Sequence, residues 1–151
     1  MEIRLETLEG PEIAELLLAH AELMRSLSPP ESCHFLPIDG LRHPAVTVWS
    51  MWEAGHLLGC GGLKDLGHHH GEIKTMHTRA TERGRGLGQQ MLLHILEQAK
   101  TRGMTHLFLE TGSPAGFEPA RRLYERHGFD YCGPFGDYKL DPYSVFMSRA
   151  L

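Results

Sequence analysis

Three cysteines, Cys33, Cys60 and Cys132, are all the chain holds, and they make neither a C-x-x-C pair nor an even set. That scarcity excludes a disulfide-stapled scaffold and a cysteine-based zinc or redox motif, and it fits reduced thiols in a cytoplasmic protein. Long apolar runs are missing too. None approaches the ~20 residues that cross a bilayer, and the opening Met-Glu-Ile-Arg-Leu-Glu lacks the apolar stretch of an export signal. No membrane partner and a cytoplasmic location are therefore expected. Charge of one sign is also scarce: 15 Lys+Arg stand against 19 Asp+Glu, a formal net charge of -4 with no single-sign run. This excludes a nucleic-acid-binding surface spread over the protein, although a small basic pocket fits inside such a total. What is present is ordinary globular composition, 41% hydrophobic and 23% charged over 151 residues, enough for one domain spanning 1-151.

Residues 2–6 alternate Glu, Ile, Arg, Leu, Glu as a half-buried strand does. Pro11 then opens a helix whose apolar residues Ile13, Leu16, Leu17, Ala21, Met24 and Leu27 run to Ser28-Pro29-Pro30. Residues 29–44 have no clean period and read as a loop or a short, broken helix, a length that in a compact domain is often functional. Ala45 to Glu53 and Leu57 to Lys64 read as a hairpin, with Trp49 and Trp52 facing opposite sides. A polar turn from Asp65 to Gly71 and a strand from Glu72 to Thr78 follow. Leu87, Met91, Leu92, Ile95, Leu96 and Ala99 mark one face of a helix that Gly103 ends. Thr105 to Thr111 is a strand, Pro119 to His127 a helix, and Phe129 to Cys132 and Ser144 to Met147 two short strands. The class is α/β (α+β), in the order β-α-(α)-β-β-β-α-β-α-β-β.

The sharpest chemical signal is Arg83-Gly84-Arg85-Gly86-Leu87-Gly88 between a strand and an amphipathic helix. Glycines let successive N–H groups converge, the helix start adds its positive dipole end, and the arginines add charge, so the loop suits a polyphosphate. The string is neither the P-loop G-x-x-x-x-G-K-[ST] nor the dinucleotide G-x-G-x-x-G; it is R-x-x-G-x-G, met by Arg83, Gly86 and Gly88. By itself it also describes a tight strand-to-helix turn.

Glu72-Ile-Lys-Thr-Met-His-Thr, this loop and its helix, Leu107-Phe-Leu-Glu, and Ala120-Arg-Arg-Leu-Tyr-Glu-Arg-His-Gly-Phe129 occur in a succession that resembles the GNAT N-acetyltransferase superfamily over residues 45–132. The resemblance extends to small bacterial members of that superfamily whose substrate is often unknown. It implies a mixed, mostly antiparallel sheet with flanking helices. The activity it implies is acetyl transfer from acetyl-CoA, as co-substrate and with no metal, to a primary amine of a small molecule or peptide, by direct transfer. The alternative is a non-catalytic acyl-CoA-binding or sensing module. Family residues carried to this chain put the pyrophosphate at Arg83, Gly84, Arg85, Gly86, Leu87, Gly88 and Gln89. The pantetheine arm falls along Met76, His77 and Thr78, and a backbone N–H there meets the charge that grows on the thioester oxygen. Tyr124 becomes the acid that protonates the departing thiolate. Phe117 stands where many members have an Asn, removing one side-chain contact to the arm. A homodimer is common in such proteins.

An attacking amine must lose a proton, and Glu72, His77 and Glu110 are the candidate bases, Glu110 foremost; burial of a strand carboxylate raises its proton affinity toward neutrality. For each, a solvated or salt-bridged strand residue is the plain reading. Acceptor recognition is expected in the irregular segments, at Ser32, His34 and Leu36 in the early loop and Asp137 and Tyr138 in the late one. His68-His69-His70 resembles a metal-binding tract but reads as a surface turn.

Overall fold

The computed structural model describes all 151 residues. Its elements are β1 (Glu2–Leu5), α1 (Pro11–Leu27), α2 (Ile38–Leu41), β2 (Val46–Glu53), β3 (His56–Gly67), β4 (His70–Thr78), α3 (Leu87–Thr101), β5 (His106–Gly112), α4 (Glu118–Arg126), β6 (Asp130–Cys132) and β7 (Ser144–Ala150). Single 3-10 turns lie at Pro30–Ser32, Ala80–Glu82 and Ala115–Phe117. The seven strands form one open sheet in the order β1-β2-β3-β4-β5-β7-β6. Every neighbouring pair is antiparallel except β4 with β5, which α3 joins as a parallel crossover.

Two cores cover the two faces of this sheet. On one face α3 lays Leu87, Met91, Leu92, Ile95, Leu96 and Ala99 against β3, β4 and β5, with Tyr124 of α4 in the same cluster. On the other face Ile13 and Leu16 of α1 pack with Leu41, Val48, Leu57 and Cys60. Strand alternation divides β2 between them: Trp49 joins the first core and Trp52 packs against the second, as the spacing of the two indoles requires. Segment 29–44 holds one 3-10 turn and the four-residue α2, a broken helix inside a loop.

The polar turn read at 65–71 is shorter than the sequence suggests. Asp65 pairs with Gly71 and Gly67 with His70, so only His68 and His69 turn, both with positive φ (56° and 62°). That geometry is the two-residue hairpin turn whose twist matches the strands it joins. Adjacent imidazoles on so tight a turn diverge, and the His70 ring instead lies edge-on to His106, 5.3 Å between centroids.

Candidate active site

β4 and β5 are paired only at His70 with His106, Gly71 with Leu107 and Glu72 with Phe108. Beyond Glu72 the two strands part, and the β5-facing edge of β4 loses its strand partner. A cleft of about 750 Å³ occupies the gap. Inside β4, the β3 pairing slips between Cys60 and Gly62, and Thr75 takes φ +57°. A β-branched residue there stores strain of order 1–3 kcal/mol, so the bulge that re-aims Met76, His77 and Thr78 is maintained by its surroundings. All three line the cleft.

The glycine loop closes one end. Gly84 and Gly86 have φ of +81° and +75°, and a Cβ built on either would meet nothing within 4 Å. The left-handed backbone needs glycine, and the empty space above it is where a bound group would sit. Arg83, Gly84, Gly86, Leu87, Gly88 and Gln89 line the cleft at the start of α3. Arg85 does not: its guanidinium donates to Glu53 at 2.9 Å and Glu82 at 2.5 Å, so its charge is already matched. Arg83 is the loop cation that remains.

Tyr124 enters the cleft from α4, 6% exposed and edge-on to Phe129. Burial pushes its phenol well above the ordinary value, so it is fully protonated at neutral pH. Phe117, also in the wall, covers Gly112 so closely that a Cβ there would lie 2.2 Å from the ring. The position where the family's Asn is absent thus serves packing. On the opposite wall His20 of α1 and His77 of β4 bring their Nδ1 atoms to 3.3 Å. Burial lowers both to about 4, helped at His20 by His77 and at His77 by Arg83 and Arg79, so the pair is neutral at pH 7.

The third wall joins β4 and β5 to the two irregular loops. Glu110 lines the cleft, and burial lifts its carboxyl to about 7 against the pull of Ser144 and Lys74. Glu72 is buried and engaged: Lys74 Nζ donates to its Oε2 at 3.0 Å and Tyr138 OH donates to the same oxygen at 2.6 Å. Lys74 also donates to Tyr138 OH at 3.0 Å and to the His34 carbonyl at 3.4 Å. Ser32 Oγ donates to Asp141 Oδ2 at 2.7 Å, tying the early loop to the late one. Ser32, His34 and Tyr138 line the cleft, whereas Leu36 packs into the α1 core and Asp137 is exposed on the late loop. Asp141, four residues on, holds the clasp that Asp137 does not.

Residues 12–129 match the model of the acetyltransferase (GNAT) family. The chain belongs to that family. Among its relatives, the uncharacterized N-acetyltransferase YsnE of Bacillus subtilis is 50% identical over 151 residues, all of both chains. The uncharacterized N-acetyltransferase YedL of Escherichia coli is 45% identical, covering 99% of this chain and 94% of its own. A Bacillus subtilis acetyltransferase solved in complex with CoA shares the fold, at TM-score 0.75 and 19% identity over 99% of this chain and 98% of that one.

This GNAT acetyltransferase has cleft residues that the sequence reading passed over: His20, Cys33, Phe35, Lys74 and Tyr143. Two carried a signal. His20 falls on the apolar stripe of α1 at helical spacing from Leu16 and Met24, and Lys74 shares a strand face with Glu72. The others depend on loop geometry.

Proposed function

We propose that the protein transfers the acetyl group of acetyl-CoA directly to a primary amine of a small molecule or peptide. The observation that carries this reading is one cleft that joins three things: an open glycine cradle, the unpaired edge of β4, and two proton-handling groups, Glu110 and Tyr124. Arg83 and the amides of residues 84–89 suit the pyrophosphate, and the edge of β4 at 76–78 suits an extended amide-bearing arm, added like a strand.

Acetyl-CoA supplies an acyl group already activated as a thioester. Glu110, ionised in part at neutral pH, takes the proton that the amine must lose before its lone pair can form the new C–N bond. Backbone N–H groups of β4 answer the charge that develops on the carbonyl oxygen. Tyr124, held protonated, gives its proton to sulfur as the C–S bond breaks and regains one from the nitrogen, which sheds its second proton to become the neutral amide. No covalent enzyme intermediate is needed: Cys33 lines the cleft but burial raises its thiol, which donates to the Met24, Ser28 and Pro29 carbonyls, Cys60 is buried on β3 with its thiol pushed up to about 12, and Cys132 is exposed on β6, outside the cleft. The test is release of free CoA thiol with a panel of amines. Turnover that depends on both acetyl-CoA and amine supports the reading; binding of acetyl-CoA with no turnover for any amine returns the binding-module alternative.

A further inference from the structure

The amine side of the cleft is chemically one-sided. Its wall on the α1 face is built from Leu23, Met24 and Leu27, one ridge of the helix, with Phe35, Phe117 and Tyr143 from the loops. His20 meets Phe35 edge-on, 6.4 Å between ring centroids, which extends the aromatic surface inward. Most of the polar groups among them are occupied, although the buried Thr75 hydroxyl has no partner. Lys74, the buried cation, directs its ammonium at Glu72, Tyr138 and the His34 carbonyl. Asp141 accepts from Ser32 Oγ and from the Tyr143 N–H, and His34 stands beside that carboxylate and edge-on to Tyr138. His20 and His77 bond to each other. Arg25, nearest on α1, stacks on Phe35 outside the cleft. Glu110 and Asp141 are then the two carboxylates here with no ion pair of their own.

We infer that the acceptor is a primary amine on an apolar or aromatic skeleton that carries no carboxylate. This rests on the acetyl-transfer reading and narrows it. An acceptor carboxylate would enter a wall with no uncommitted cation and would face Glu110. A desolvated carboxylate costs affinity that the same skeleton without it retains. An ammonium beside Glu110 and a ring or chain on the α1 ridge match the surfaces the wall offers.

The experiment compares a matched pair with saturating acetyl-CoA, 2-phenylethylamine against phenylalanine, scored by kcat/KM from CoA release. The same amines are titrated calorimetrically into protein loaded with CoA, a readout that needs no transfer. The expected result is a preference of about tenfold or more for 2-phenylethylamine in both assays. Equal or better use of phenylalanine overturns the inference and keeps acetyl transfer. Selective binding of 2-phenylethylamine without acetylation keeps the inference and overturns acetyl transfer. Neither binding nor turnover with 2-phenylethylamine overturns both. As an internal check, Leu23→Arg, half-buried and outside the proton-handling groups, adds the missing cation and should narrow the preference over phenylalanine.

Discussion

Tyr138 donates its phenolic proton to Glu72 Oε2 at 2.6 Å across 66 residues of chain, and Lys74 binds both partners. Through this contact the late loop is fixed to the one stretch where β4 and β5 still pair, because Glu72 is itself the last paired residue of β4. The aromatic contacts of Tyr138 with His34, Phe135 and Phe146 extend the same anchorage to the early loop and β7.

Tyr138→Phe keeps those ring contacts and deletes one buried, charge-assisted hydrogen bond. Glu72 retains Lys74, so the loss of stability should be about 1–3 kcal/mol rather than unfolding. The amine KM should rise while acetyl-CoA affinity holds, since none of these contacts of Tyr138 involves residues 76–89. Urea titration and steady-state kinetics measure the two effects, and an unchanged amine KM would show that the late loop does not shape the acceptor site.

Glu110→Gln should lower turnover by roughly 10²–10⁴-fold with acetyl-CoA binding intact. In the wild type, with an acceptor whose ammonium titrates near ~10, activity should climb with pH through about 7 as Glu110 ionises, and the variant should lose that limb. Stability moves the other way. A carboxyl lifted from 4.5 to about 7 by folding is fully tolerated below 4.5 and costs stability as pH rises through 7. The variant should therefore gain on wild type in Tm at pH 8 and match it at pH 4. A flat activity profile in the wild type would assign the base elsewhere.

His20 and His77 predict the acid side of the stability curve. Both fall from 6.5 to about 4 on folding, so their contribution is full above 6.5 and is lost as pH drops through 4. Unfolding at pH 5 should take up protons, read as a Tm that falls between pH 6.5 and 4. Replacing His20 by Gln, which keeps a hydrogen-bonding partner for His77, should flatten that slope. An equally steep fall in the variant would locate the proton uptake in other groups.

The glycine turn, the strand-to-helix order and the inward place of Tyr124 on its helix were legible in the sequence, because each depends on neighbours within a few residues. Gly84 and Gly86 adopt the left-handed backbone that glycine allows. What the sequence hid was set by distance along the chain. The Arg85 guanidinium pairs with Glu53, 32 residues away, as well as with its neighbour Glu82, and the first of these contacts has no local signal. Asp137 and Asp141 are indistinguishable as acidic loop residues, and only the folded position of Ser32 decides between them. Thr75 carries no mark of the bulge, since a β-branched residue favours the regular strand it interrupts.

Gly86→Ala probes the cradle. Alanine at φ +75° costs about 1–2 kcal/mol of backbone strain, and its methyl enters space that is empty in the free protein. The KM for acetyl-CoA should rise about tenfold, ~1.4 kcal/mol of lost binding, whereas Gly67→Ala, at φ +81° on the β3 turn and equally open, should carry the strain alone. A matched loss in both variants would mean that the loop is only a turn.

Tyr124→Phe is the sharpest test of the chemistry, because the two rings pack alike and differ by one ionisable group. The phenol sits in the apolar cluster formed with Leu87, Met91 and Phe129, where burial holds its proton. Removing the hydroxyl leaves that packing in place, so thermal stability and acetyl-CoA affinity should be close to wild type. Turnover should fall about 10²-fold or more if sulfur leaves as a thiol that Tyr124 has protonated. The loss should shrink with an acyl donor whose leaving thiol is more acidic, because a better leaving group needs less proton donation. Equal turnover of both proteins with acetyl-CoA would remove Tyr124 from proton transfer and leave it as a wall of the cleft.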